Sequence, residues 1–227
     1  MRKQQRIAGA VVVAGLILTA NSSFAGIQGS KHDFSSTGWS TNTYGTNAAA
    51  RTEICRPCHV PHKAQSTTIP LWNHTETTNV SFTLYSSPTF NASNSIAQPS
   101  GVSKACLSCH DGSTALDSFG GGTGSSFIPV AARVGFGGNL TKDHPIGFEY
   151  TAALATADGE LYNPTTQNSG LGQQIDDDML FDNGSGSKTK VECGSCHDVH
   201  NTKSEANSKM LLIANNSSAL CLTCHNK

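Results

Sequence analysis

Four segments of the chain combine two cysteines and a histidine at one fixed spacing, Cys-x-x-Cys-His. They read CRPCH, CLSCH, CGSCH and CLTCH, and together they use all eight cysteines. In this pattern both thiols bond covalently to a porphyrin and the histidine ligates its iron, which is the attachment chemistry of a c-type haem. The cysteines are Cys55 and Cys58, Cys106 and Cys109, Cys193 and Cys196, and Cys221 and Cys224. The proximal iron ligands are His59, His110, His197 and His225.

Other interpretations of the cysteines fit this pattern less well. Eight cysteines would suit four disulfides in an exported chain, and an isolated Cys-x-x-Cys would suit a thioredoxin-like or zinc site. Here every cysteine belongs to a motif that ends in histidine, and none is left over. Four repeats of that pattern favour covalent haem over paired zinc sites. The sequence therefore predicts four c-type haems.

Two of the motifs continue to a second histidine. CRPCHVPH reaches His62, and CGSCHDVH reaches His200. Residues three apart on a helical turn project from one side, whereas two axial ligands approach an iron from opposite faces, so His197 and His200 cannot share an iron. We expect His62 to ligate the haem of Cys106 and His200 that of Cys221. The alternative for each is a role without metal.

The remaining haems need distal ligands too, and five of the nine histidines are not proximal ligands. His144, in KDHPIGF, suits the haem of Cys193. His32, in SKHDFSS, suits the haem of Cys55 by the internal repeat, with His74 in PLWNH as its rival. The other interpretation of His74 is a packed polar group beside the nearby tryptophan. Bis-histidine ligation of every haem leaves one histidine surplus.

The ligand set favours electron transfer over catalysis. An iron with two histidine ligands has no open position for substrate and has a low potential among haems. We therefore expect no catalytic residues and no enzyme activity. A reductase of oxyanions would need an iron with an open distal position, whereas a periplasmic electron shuttle would have the same haems. The acidic triplet at 176–178 is interpreted as solvated loop surface.

The N-terminal residues predict export. Three basic residues precede an uncharged stretch from Ile7 to Ala20, and a small-residue cleavage site follows at Ser23 and Ala25. Residues 1–25 are therefore expected to be a signal peptide, with no transmembrane segment after it. Without the three basic residues of the signal peptide, 12 basic and 16 acidic residues remain, which gives a net charge of −4. Nucleic acid is an improbable partner for such a chain.

The spacing of the motifs also predicts the organisation of the chain. We expect a first haem pair at 26–120, a glycine-rich linker at 121–140 and a second haem pair at 141–227, with one fused globule at 26–227 as the alternative. So few residues per haem predict a multihaem cytochrome c fold, with mostly irregular chain, short helices and little strand around four closely stacked haems. Short helices are expected after each motif, at TAALATA and at SALCLTCH, and a strand at VSFTLY.

Taken in order, the segments HDFSS, ICRPCHVPH, PLWNH, KACLSCHDG, HPIGF, ECGSCHDVHN and LCLTCH resemble a known family. They are similar to the doubled-CXXCH multihaem c-type cytochromes, and in particular to the OmcE-type tetrahaem extracellular filament cytochromes. The resemblance implies a homo-polymer outside the cell with a continuous haem chain, which exchanges electrons with redox partner proteins or extracellular acceptors. The periplasm is the alternative location.

The resemblance also implies that one axial histidine reaches a haem of the adjacent subunit. His32 is a candidate, because it lies in a flexible segment close to the predicted mature terminus at Gly26. If His74 ligates the haem of Cys55 within the chain, His32 is free to cross the junction between subunits.

Overall fold

The fold consists of short elements joined by irregular chain. The computed structural model describes residues 26–35, 53–65, 69–202 and 208–227, so the predicted signal peptide lies outside the described residues. Within them the α-helices are α1 (Gly101–His110), α2 (Ala152–Asp158), α3 (Ile175–Met179) and α4 (Ala219–Cys224). Strands β1 (Phe181–Asp182) and β2 (Lys188–Lys190) pair antiparallel. Further 3-10 turns lie at Val130–Ala132, Phe136–Gly138, Cys193–Ser195, Ser208–Met210 and Asn216–Ser218. The predicted mixture of irregular chain, short helices and little strand is confirmed.

Local signals explain where α2 begins and ends. The Thr151 side chain accepts a hydrogen bond from the Leu154 backbone N–H at 3.1 Å, which caps the first turn. Gly159 follows the last helical residue with a φ of 79°, a left-handed conformation that glycine adopts without strain. The helix expected at TAALATA therefore forms, as does the one expected at SALCLTCH, where α4 lies.

The strand expected at VSFTLY does not form. In that stretch Thr83 makes one isolated bridge with Asn139. The Gln98 side chain forms hydrogen bonds with both backbone groups of Phe82. Its Oε1 accepts from the Phe82 N–H at 2.7 Å, and its Nε2 donates to the Phe82 carbonyl at 3.0 Å. A side chain thus satisfies the groups that a neighbouring strand would otherwise bind.

We expected a short helix after each attachment motif. Instead, two of the helices end within a motif. Helix α1 ends at His110 and α4 ends at Cys224. In α1, Cys106, Cys109 and His110 stand at positions i, i+3 and i+4, which share one helix face. Within the described residues no helix is long and apolar enough to cross a bilayer.

Apolar packing is divided among three clusters that border the motifs. The largest has the buried members Ala92, Phe148, Tyr150, Ala155, Ile175, Met179, Leu180, Val191 and Leu220. Residues from both predicted halves share it, and the half-buried Cys196 and Cys224 pack against it. A second cluster consists of Phe34, Leu116 and Ile128, and Cys109 packs against it. A third cluster consists of Phe82, Leu107 and Leu140. Cys109, Cys196 and Cys224 therefore lie at the edges of the apolar packing.

Candidate haem sites

Each attachment motif folds as one helical turn. The histidine N–H donates to the carbonyl of the first cysteine at 2.8 Å in the first motif, 3.1 Å in the third and 2.9 Å in the fourth. The second motif lies inside α1. One turn places both thiols and the imidazole on the same side, as attachment to a porphyrin and ligation of its iron require. Among the described residues, no three His, Cys, Asp or Glu side chains converge as a separate metal-ion site.

Backbone carbonyls orient several of the imidazoles. Nδ1 of His110 donates to the Ala132 carbonyl at 2.9 Å, and Nδ1 of His197 donates to the Lys209 carbonyl at 3.0 Å. His144 bonds in the same way to the Pro145 carbonyl at 2.9 Å. A histidine that ligates a metal commonly donates its other ring N–H to such a carbonyl, which fixes the tautomer and leaves Nε2 for the metal. These histidines therefore have the tautomer that an iron ligand needs.

Three pairs of histidine rings lie at nearly the same distance, one pair stacked and two pairs edge to face. The ring centroids of His59 and His200 are 6.2 Å apart, with an angle of 22° between the rings. The centroids of His32 and His110 are 6.1 Å apart. Those of His144 and His225 are 6.5 Å apart.

This spacing fits two ligands on opposite sides of one iron. A histidine nitrogen binds a metal at about 2 Å and the ring centre lies about 1 Å further away, so two such rings are roughly 6 Å apart. The motif histidines His59, His110 and His225 each have one partner at this spacing. The residues present therefore fit a bis-histidine haem at three of the motifs.

The structure places His200 beside a different motif from the one predicted. We expected it at the haem of Cys221, but its ring lies against His59 of the first motif. The internal repeat suggested contacts between motifs close in sequence, whereas the fold brings the third motif to the first.

His32 is paired with a different haem site from the one predicted. The repeat assigned it to the haem of Cys55, but its ring faces His110 of the second motif. The N-terminal segment that holds it lies along the third motif, where Nδ2 of Asn201 donates to the Gly26 carbonyl at 3.1 Å. This tertiary contact brings His32 towards α1, and no repeat in the sequence encodes it.

His144 and His62 differ from their predicted assignments as well. His144 was assigned to the haem of Cys193, but its ring faces His225 of the fourth motif. His62 was assigned to the haem of Cys106, where His32 takes the facing position. The His62 side chain is exposed, and no other described histidine ring lies opposite it at the spacing of the three pairs.

His74 is buried beside Trp72, two backbone carbonyls and Sγ of Cys109, which lies 3.5 Å from Nε2. Its side chain is 2% exposed, and its ring lies 6.3 Å from that of Trp72. Nδ1 lies 2.8 Å from the Thr75 carbonyl and Nε2 lies 3.0 Å from the Ala115 carbonyl. Burial lowers the pKa of His74, and the carbonyl bonds act against that shift. A neutral imidazole has one N–H, so the His74 ring donates to one of these two carbonyls.

Burial lowers the pKa of three of the paired histidines. It lowers the pKa of His32 to about 4, with the neighbouring His110 as the next cause. Burial also lowers the pKa of His110 and that of His225, where His144 contributes to the shift. A lowered pKa means that the imidazole is uncharged at neutral pH, and neutral imidazole is the form that binds a metal.

The attachment thiols of different motifs lie close enough to shift one another's pKa. The neighbouring thiols of Cys106 and Cys193 shift each other's pKa, which is raised for Cys106 and lowered for Cys193. Burial raises the pKa of Cys109, and a thiol of the first motif raises it further. Burial also raises the pKa of Cys224 to about 12, and Cys196 adds to that rise. These shifts place the first motif near the second, the second near the third and the third near the fourth, while the third motif also lies near the first.

Gly194, between the cysteines of the third motif, permits close packing. A Cβ there would lie 2.6 Å from Cζ of Phe181 and 3.3 Å from Cγ1 of Val102. We expect Gly194→Ala to displace the Phe181 ring and lower the free energy of unfolding by about 1–3 kcal/mol, measured by denaturant titration. Gly122→Ala is the control, since its Cβ would meet only a carbonyl oxygen at 3.4 Å. Equal midpoints for the two variants would contradict the packing argument.

The mostly irregular fold fits a cytochrome c, and the CXXCH motifs indicate covalent c-type haem binding. A family model described as the doubled CXXCH motif matches residues 187–227, which contain the third and fourth motifs. This match supports the assignment to multihaem c-type cytochromes. A search of curated proteins found no match.

Proposed function

We propose that this chain is an exported tetrahaem c-type cytochrome that carries electrons and is not an enzyme. The observation that carries the proposal is the spacing of 6.1–6.5 Å in three histidine pairs. The iron of a bound haem accepts and releases one electron at a time. The chain's own residues attach the porphyrin through cysteines and hold the iron between two imidazoles. An iron held in this way has no position for substrate.

The order of the motifs supports a continuous electron path. Neighbouring attachment thiols connect the first motif to the second, the second to the third and the third to the fourth, with Cys106 and Cys193 as the central pair. Haems attached at such thiols would be close neighbours. An electron from a redox partner protein could then enter near one end and leave to an extracellular acceptor near the other.

Assembly into a filament follows from the unmatched histidines. His197 is a proximal ligand whose Nδ1 is anchored to the Lys209 carbonyl, yet no described histidine ring faces it at the spacing of the three pairs. His62 is exposed and also lacks such a partner. His62 of a second copy would complete the iron site of His197. A contact between two different surfaces of the same chain need not close, and it then propagates.

This proposal replaces His32 with His62 as the ligand that crosses between subunits. His32 already faces His110 in its own chain, so it has no need of a neighbouring subunit. The exposed position of His62 next to the first motif also suits a junction in which the first motif of one subunit approaches the third motif of the next.

A second function is favoured by the same unmatched ligand. If His62 does not cross, the iron at His197 keeps one open position, as an oxyanion reductase would require. A periplasmic shuttle is the third alternative, with monomers and no junction.

Spectroscopy and imaging of the secreted protein separate these functions. We expect filaments by electron microscopy and only low-spin haem by electron paramagnetic resonance. Monomers with one high-spin haem per chain would contradict the filament and support the reductase. Monomers with low-spin haem alone would support the shuttle.

A further inference from the structure

Glu192 lies immediately before the third motif, and its buried carboxylate forms a hydrogen bond with the helix that contains the second motif. Its side chain is 3% exposed. Oε2 accepts a hydrogen bond from the Ser103 backbone N–H at 3.1 Å, within the first turn of α1. Helix α1 carries the whole second motif. The carboxylate therefore connects the backbone of one attachment site to the residue that precedes another.

The same contact is reinforced from the opposite direction. The Cys193 backbone N–H donates to Oγ of Ser103 at 3.0 Å, and Ser103 is completely buried. Glu192 and Ser195 also form a reciprocal cap on the 3-10 turn of the third motif, with the Glu192 N–H donating to Ser195 Oγ at 3.0 Å. The third motif is thus fixed to α1 through two bonds that cross between the sites.

Lys190 balances the buried charge. Its Nζ lies 3.4 Å from Oε1 of Glu192, and it donates to Oγ of Ser100, at the start of α1, at 2.5 Å. A buried carboxylate is retained at low cost only when it is paired and hydrogen-bonded. The ion pair adds little evidence for stability by itself, but it fixes one geometry of the contact.

We propose that Glu192 is a positioning residue that fixes the second and third haem sites against each other. This role rests on the proposed electron-transfer function, because it sets the separation of two neighbouring haems at the middle of the path. In the sequence, Glu192 is marked only by its spacing from Ser195. The two residues are three positions apart, which is typical of side chains that cap the start of a helix.

The test compares holoproteins with changes at this contact. Glu192→Ala removes the carboxylate, whereas Glu192→Gln keeps an oxygen that accepts from Ser103. Glu76→Ala is the control, because Glu76 also pairs with a lysine of α1, Lys104, but does not bond to the third motif in that pair. The measurements are the number of attached haems, from intact mass, and the amplitude of the Soret circular-dichroism couplet, which depends on the distance and angle between neighbouring haems.

We expect every variant to retain four haems, with a loss of couplet amplitude in Glu192→Ala, a smaller loss in Glu192→Gln and none in Glu76→Ala. An unchanged couplet in Glu192→Ala would overturn the proposal. If that variant does not accumulate, Glu192→Gln carries the test, with the smaller loss expected and an unchanged couplet overturning the proposal. Wild-type protein without four haems or without a couplet would contradict the proposed function instead.

Discussion

Replacing His200 with methionine is expected to raise the reduction potential of the haem at Cys55 and leave the other three unchanged. The reason is the ring of His200, which lies 6.2 Å from that of His59. Methionine in place of histidine favours the reduced iron. Because axial ligands contribute to a span of about 0.8 V among haem proteins, we expect a shift on the order of 100 mV. A spectroscopic redox titration of wild type and His200→Met measures it.

The identity of the shifted haem is the decisive part of that experiment. In protein without the fourth attachment site, made by Cys221→Ala and Cys224→Ala, the His200→Met shift should persist. Its disappearance there would return His200 to the haem of Cys221. His74→Met is the matched control, since both ring nitrogens of His74 lie against backbone carbonyls and its replacement should leave all four potentials in place.

Removing the exposed His62 is expected to abolish filaments. His62→Ala deprives the iron at His197 of the ligand that we assign to a neighbouring subunit, so each chain should carry one high-spin haem. Lys63→Gln is the control, because it changes the adjacent side chain and leaves the histidine in place. Electron microscopy and electron paramagnetic resonance of both variants provide the two readouts.

Added imidazole distinguishes loss of a ligand from loss of folding. Imidazole should restore low-spin haem in His62→Ala, because it can occupy an open iron position, but it should not restore filaments, because it does not connect two chains. Filaments of His62→Ala with low-spin haem throughout would remove His62 from the junction.

The attachment motifs could be recognised in the sequence because each one consists of five consecutive residues. Cys193, Cys196 and His197 fit within one helical turn, and the bond from the His197 N–H to the Cys193 carbonyl at 3.1 Å closes that turn. The short helix at Ala152–Asp158 was readable for a similar reason, since its cap and its terminating glycine lie in the same few residues.

The neighbouring ring of each histidine could not be predicted from the sequence, because tertiary contacts determine which rings lie together. His200 faces His59 from the other half of the chain, and His32 reaches His110 through a segment bound to Asn201. The contact of the His74 ring with the Ala115 carbonyl is likewise tertiary. The strand expected at VSFTLY failed for the same reason, since a distant glutamine occupies that backbone.

The intact mass of the secreted protein tests the central claim most directly. The account predicts a chain that begins at Gly26 and carries four covalently bound haems, with no cysteine open to a thiol reagent. A chain with fewer haems, or one in which all eight thiols react, would contradict it.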